Sequence, residues 1–128
     1  MTKELNYSDV GLIANYSDID SRSELSTSVE FLGKKFQSPA FPSNMECTID
    51  FRMAELLSKD NYFYILHRFY DYDEIFQWVK NVQNSIPFIS ISIGVQEGDK
   101  VFLAALVNNN LNIDFITIDI AHGHCKKM

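Results

Sequence analysis

Phe88-Ile89-Ser90-Ile91-Ser92-Ile93, closed by Gly94, is the stretch on which the fold turns. Its β-branched residues and its brevity read as a strand, and the alternating serines suggest one face meeting a tight or polar interior. On either side the period changes. Upstream, Asp71 to Val82 sets Ile75, Val79 and Val82 four and three apart behind first-turn acids, which is helical. Downstream, Gln96 to Val107 is helical too. A strand held between two helices is the unit of an alternating βα protein.

The same alternation extends outward. Tyr62 to Leu66 is an apolar run without alternation, as expected of a strand covered on both faces. Phe115 to Ile118 is another strand. Thr48 to Lys59 is helical, with Thr48 as N-cap and Ile49, Met53, Leu56 and Leu57 on one apolar face. Ahead of it, Pro39-Ala40-Phe41-Pro42 is the first strand, its Pro42 tolerated only near a strand end. The expectation is an α/β chain in two parts. Residues 1–38 are an arm with a small hairpin, Val29-Glu30-Phe31 against Gly33-Lys34-Lys35-Phe36; residues 39–128 carry four parallel strands and three helices.

Crossovers of this kind build either a doubly wound sheet or a TIM barrel. No G-x-G-x-x-G follows the first strand, so a dinucleotide-binding doubly wound domain loses its best signal. Polar residues (Asn44, His67, Arg68, Asp119) end every strand but the third, which favours a (β/α)8 barrel. A full barrel takes about 250 residues, so the 128 residues here, with about four βα units, are expected to form a partial barrel with open edges. The chain is then either a natural truncation or a fragment of something longer.

Composition narrows the function. Hydrophobic content of 46% against 22% charged is the balance of a globular domain. A net charge of -6 argues against nucleic acid as a partner, while leaving room for a small phosphorylated ligand held by backbone amides and one or two basic residues. Two cysteines, Cys47 and Cys125, make no disulfide framework and suit a reducing compartment. MTKELNYSDV lacks the apolar core of a signal peptide, and no run approaches the roughly 18 apolar residues of a membrane span. A cytoplasmic protein without a membrane partner is expected.

The residues alone leave the chemistry open. His122-Gly123-His124 has metal-ligand spacing but no third ligand nearby, so a strand-end turn competes with a metal site. Asp119 ends a buried strand and is either a helix N-cap or an acceptor for a ligand. Arg68 reads as a surface partner of Asp71 or Asp73, or as a ligand contact. Ser21-Arg22, near Asp18 and Asp20, is compatible with a solvated ion pair. His67 reads as a hydrogen-bonded supporting residue, and Met45 as core filler. The stripes Ile49-Met53-Leu56 and Ile75-Val79-Val82 are assigned to the core.

Five strings in order change that balance. Asp20-Ser21-Arg22-Ser23-Glu24, Ser43-Asn44-Met45, Tyr62-Phe63-Tyr64 with His67-Arg68-Phe69, Ser90 to Val95, and Thr117 to His124 resemble the amino-terminal part of the IMP dehydrogenase/GMP reductase family. The resemblance covers about residues 5–125 and lies nearer the GMP reductase branch. Asn44 stands where the dehydrogenases usually carry proline, and Trp78-Val79-Lys80 runs on to the third strand without room for their regulatory domain. It implies a (β/α)8 barrel, a homotetramer, and reduction of GMP to IMP and ammonia by NADPH. Carried over by motif, Ser21, Arg22, Arg68, Asp119, Ile120 and Ala121 are cofactor-binding, and Ser43, Asn44 and Met45 approach the nucleotide. No catalytic residue is assigned. The family's nucleophilic cysteine lies in a G-x-G-P-G-S-x-C-T-T loop that also supplies its monovalent-cation site, and neither Cys47 nor Cys125 has that setting. The 128 residues are therefore expected to be inactive alone, with dehydrogenase-type chemistry or a non-catalytic half barrel acting through assembly as the alternatives. The family's D-V-L-L-x-P is also replaced by Asp9-Val10-Gly11-Leu12-Ile13-Ala14, so the arm is expected to lie differently.

Overall fold

The computed structural model describes residues 4–126 and 128. The hairpin forms as expected: β1 (Val29–Phe31) pairs antiparallel with β2 (Lys34–Phe36), Val29 opposite Phe36. Its two-residue turn puts Leu32 at φ 49° and Gly33 at φ 77°. Both central residues of this turn need positive φ, which glycine adopts freely and leucine does not.

Three helices follow. The first, α1 (Phe51–Lys59), starts later than Thr48 because Asp50 is its N-cap, Oδ1 accepting the Met53 N–H at 2.7 Å. Thr48 belongs instead to the preceding turn, its N–H donated to the Met45 carbonyl. The buried face also differs from the expected stripe. Ala54 and Ser58 are fully buried, whereas Met53 and Leu56 are 43% and 48% exposed. Small residues four apart let α1 pack closely, which turns the larger ones outward. Next, α2 (Tyr72–Val82) is capped by Asp71, whose N–H is accepted by Glu74 at 3.0 Å, and buries Ile75, Trp78, Val79 and Val82. Last, α3 (Glu97–Asn108) buries Asp99, Phe102 and Leu106. α1 and α3 end alike: Asn61 and Asn110 take positive φ, and the next amides, Tyr62 and Leu111, donate back to Leu57 and Leu106. Asparagine tolerates this left-handed closure better than most residues.

The parallel sheet is built on β3 (Ser90–Ile93), buried at every position. It pairs with β4 (Phe115–Ile118), Ser90 opposite Phe115 and Ile93 opposite Ile118. On its other side Leu66 makes a parallel bridge to Ile91, donating to the Ser90 carbonyl and accepting from the Ser92 N–H. The Tyr62–Leu66 run thus contributes one bridge rather than a full ladder. Pro39–Pro42 forms no ladder among the described residues; two of its four residues lack an N–H.

The hairpin closes the amino ends of these strands. Phe36 packs against Phe63, Phe88 and Phe115, ring centroids 5.2, 5.4 and 6.2 Å away. Lys34 Nζ lies 2.6 Å from Asp114 Oδ1, and the other Asp114 oxygen accepts the Ile89 N–H at 2.8 Å. An apolar hollow of about 190 Å³ between Phe31, Phe36, Phe41 and Phe63 lies at this end, without a charged group on its wall. The opposite, carboxyl ends carry Arg68 and Asp119.

Candidate functional site at the carboxyl ends of the strands

Arg68 follows the Leu66 bridge, Gly94 follows β3 and Asp119 follows β4. The Asp119 N–H donates to the Ile93 carbonyl at 2.8 Å, which prolongs the ladder by one residue and fixes the aspartate at the rim. Arg68 Nε then reaches Asp119 Oδ2 at 3.4 Å. The two residues flank β3, so the pair spans the end of the middle strand, where Gly94 presents no side chain. This corrects the reading of Arg68 as a partner of Asp71 or Asp73. Its side chain is 40% exposed and that of Asp119 35%, so the pair adds little to stability and keeps its hydrogen-bonding atoms accessible. Arg68 also lies over the Phe69 ring, 5.3 Å from its centroid.

His67 is buried beside this pair in sequence. Its Nδ1 accepts the Phe69 N–H at 3.1 Å, which places the proton of the neutral ring on Nε2. That Nε2 has no partner among the described residues, and the ring stacks on Tyr70 at 4.4 Å. The serines of β3 behave as their spacing suggests: Ser92 Oγ donates to the Leu66 carbonyl at 2.6 Å, and Ser90 Oγ is buried without a partner among the described residues.

The third strand end is served by a residue that sequence reading passed over. Asp99, in the first turn of α3, is 6% exposed. Its Oδ1 accepts the Gly94 N–H at 2.9 Å and the Tyr72 hydroxyl at 3.2 Å, and its Oδ2 accepts the Gln96 N–H at 2.8 Å. Burial pushes this carboxyl upward, but the Gly94, Gln96 and Tyr72 hydrogen bonds and the charge of Arg68 outweigh it, holding it below its ordinary value of 3.8. Tyr72 is moved the other way, up, by burial and by its bond to Asp99. The available signal was an acid three residues after Gln96, the spacing of a capping box.

The remaining expected residues are dispersed. Ser21 caps a 3-10 turn at Arg22–Glu24 in the exposed arm, its Oγ 2.9 Å from that of Ser23. Among the described residues no hydrogen bond or ion pair joins Ser21 or Arg22 to Arg68 or Asp119. Ser43, Asn44 and Met45 form the bend after Pro42, the Met45 N–H donating to the Ser43 carbonyl at 2.8 Å. Ile120 is half-buried next to Asp119, and Ala121 is exposed. His122 and His124 are exposed with ring centroids 6.3 Å apart, and among the described residues no three His, Cys, Asp or Glu side chains gather as a metal would need.

An α/β chain that holds an accessible charged pair where its parallel strands end is of the class that binds ligands at that rim. The IMP dehydrogenase / GMP reductase domain model matches residues 4–128, and the chain belongs to that family. It is 41% identical over 122 residues to the GMP reductases of Staphylococcus aureus strains JH9 and NCTC 8325, covering 95% of this chain and 37% of those proteins. The crystal structure of inosine 5′ monophosphate dehydrogenase from Legionella pneumophila matches 94% of this chain and 36% of that one, with a TM-score of 0.75 and 27% identity. That neighbour is a TIM barrel, in line with the expected architecture; the chain spans a little over a third of the length of the relatives it matches.

Proposed function

We propose that this chain is the cofactor-side part of an NADPH-dependent GMP reductase, in which GMP, NADPH and two protons give IMP, NADP⁺ and ammonium. The observation that carries the reading is the accessible Arg68–Asp119 pair over the strand ends, in a chain 41% identical to GMP reductases. A dinucleotide offers the two complements such a pair needs: ribose hydroxyls for a carboxylate acceptor, and phosphate oxygens for a guanidinium donor. Arg68 and Asp119 would hold it, with the Ile120-Ala121 backbone beside them. When bound, the dihydronicotinamide supplies the hydride delivered to the purine C2. Ser43, Asn44 and Met45 are assigned to the nucleotide side, and Ser21 and Arg22 to the cofactor of an assembled homotetramer in the cytoplasm.

Cys47 and Cys125 are both exposed and lack the glycine-rich setting of the family nucleophile, so the 128 residues alone are expected to bind without turning over. A dehydrogenase-type oxidoreductase is the second reading, favoured by the Legionella neighbour. Fluorescence titration of the chain with NADPH, NADH and NAD⁺ separates the two. NADPH is expected to bind in preference, and Arg68→Ala to weaken it about 10- to 100-fold, the worth of one charge-assisted contact. Absence of NADPH binding, or an unchanged affinity in Arg68→Ala, refutes the cofactor site; preference for NAD⁺ favours the dehydrogenase.

A further inference from the structure

We propose that Asp99 is a positioning residue for the Arg68–Asp119 pair: it fixes the turn over β3 and ties the start of α2 to that turn. A helix-capping acid needs only one bond of the kind Asp99 makes to the Gln96 N–H. Its other two bonds reach beyond α3. The Gly94 N–H belongs to the residue that leaves β3, and the Tyr72 hydroxyl belongs to the first residue of α2, four positions after Arg68. One buried carboxylate therefore joins the end of the middle strand, the start of the helix that follows it, and the segment that carries the arginine.

The geometry leaves this turn little freedom. A Cβ at Gly94 would stand 2.9 Å from Asp99 Oδ2, so carboxylate and glycine backbone are in direct contact. A Cβ at Gly98 would stand 3.3 Å from the Tyr72 ring, and that ring stacks on Phe102 at 4.9 Å. The seat of Tyr72 is thus set by α3 on both its ring and its hydroxyl. Arg68 must cross the end of β3 to meet Asp119, and the height and direction of that crossing depend on where this turn sits. Asp99 also feels the Arg68 charge, which couples the two electrostatically.

The inference rests on the cofactor reading for its functional meaning, and the experiment reads the two separately. In the 128-residue chain, Asp99→Asn keeps the shape of the side chain but removes its charge and one acceptor. Two measurements are made: hydrogen exchange of the Arg68 Nε–H by NMR, and NADPH affinity by fluorescence titration. Asp99→Asn is expected to accelerate Arg68 Nε–H exchange and to weaken NADPH binding, each by about fivefold or more, the scale of one charge-assisted hydrogen bond. Tyr72→Phe, which retains the capping bonds of Asp99 and the packing on Phe102, moves both in the same direction by less and serves if Asp99→Asn fails to fold. A lowered Tm with unchanged Arg68 exchange and unchanged affinity overturns the proposal and leaves Asp99 a helix cap. If the parent chain does not bind NADPH, the Arg68 exchange decides alone: accelerated, it upholds the positioning role while the cofactor reading falls; unchanged, it overturns the role.

Discussion

Ser58 is the most exacting place to test the packing argument. It is fully buried on α1, and its hydroxyl donates to the Phe88 carbonyl at 2.8 Å while accepting the Phe88 N–H at 3.1 Å. One side chain thereby satisfies both backbone groups of the residue that leads into β3. In Ser58→Ala the carbonyl keeps the Tyr64 hydroxyl, 3.3 Å away, but the Phe88 N–H is left without a partner in a residue only 2% exposed. An orphaned buried donor costs about 1–3 kcal/mol. Alanine returns roughly 0.5 kcal/mol of helix propensity, so the net loss is about 0.5–2.5 kcal/mol. For a domain of this size that lowers Tm by roughly 2–9 °C. Urea denaturation followed by the fluorescence of Trp78, the one tryptophan, should show a lower midpoint at unchanged m-value. A loss below about 0.3 kcal/mol would refute the claim that this hydroxyl joins α1 to the sheet.

Three further outcomes follow from the same structure. Leu32 is 68% exposed at φ 49°, so Leu32→Asn should stabilise the chain by about 1 kcal/mol in thermal melts; destabilisation would mean its side chain packs usefully. Asp114→Ala should cost about 1–3 kcal/mol because it orphans the Ile89 N–H, whereas Lys34→Ala, which breaks a half-exposed ion pair, should cost under about 1 kcal/mol; equal losses would contradict this asymmetry. Asp99 titrates below 3.8 when folded and at its ordinary 3.8 when unfolded, so its contribution is whole above that value and disappears as pH falls through the folded one. The stability gap between the parent chain and Asp99→Asn should therefore narrow between pH 7 and pH 3 in urea melts; a gap that widens would reverse the assignment.

Local signals carried much of this fold and long-range ones carried little. The hairpin, α2, β3 and β4 were legible because periodicity and turn chemistry act within a few residues. The buried face of α1 was not, since hydrophobicity favoured Met53 and Leu56 while close approach to the sheet favoured Ala54 and Ser58. Arg68 had two acids within five residues, Asp71 and Asp73, yet its partner is Asp119 on another strand end, a choice only the sheet order makes. Asp99 was missed for a similar reason: its bonds to Gln96 and Gly94 are local, but its bond to Tyr72 appears only when α2 and α3 are side by side. Ser21 and Arg22 were named by motif alone, and nothing in their own loop draws them to the rim.

The seal formed by Phe36 also bears on the order of folding. Its ring completes contacts with Phe63, Phe88 and Phe115, residues that enter the growing chain progressively later. Until Phe115 has left the ribosome, the hairpin has a turn but no finished seat, and its aromatic faces stay solvent-accessible. Such late, distant contacts slow folding and lengthen the interval in which apolar surface is open to aggregation. The hairpin is thus the first element synthesised from this core and among the last to be locked into it.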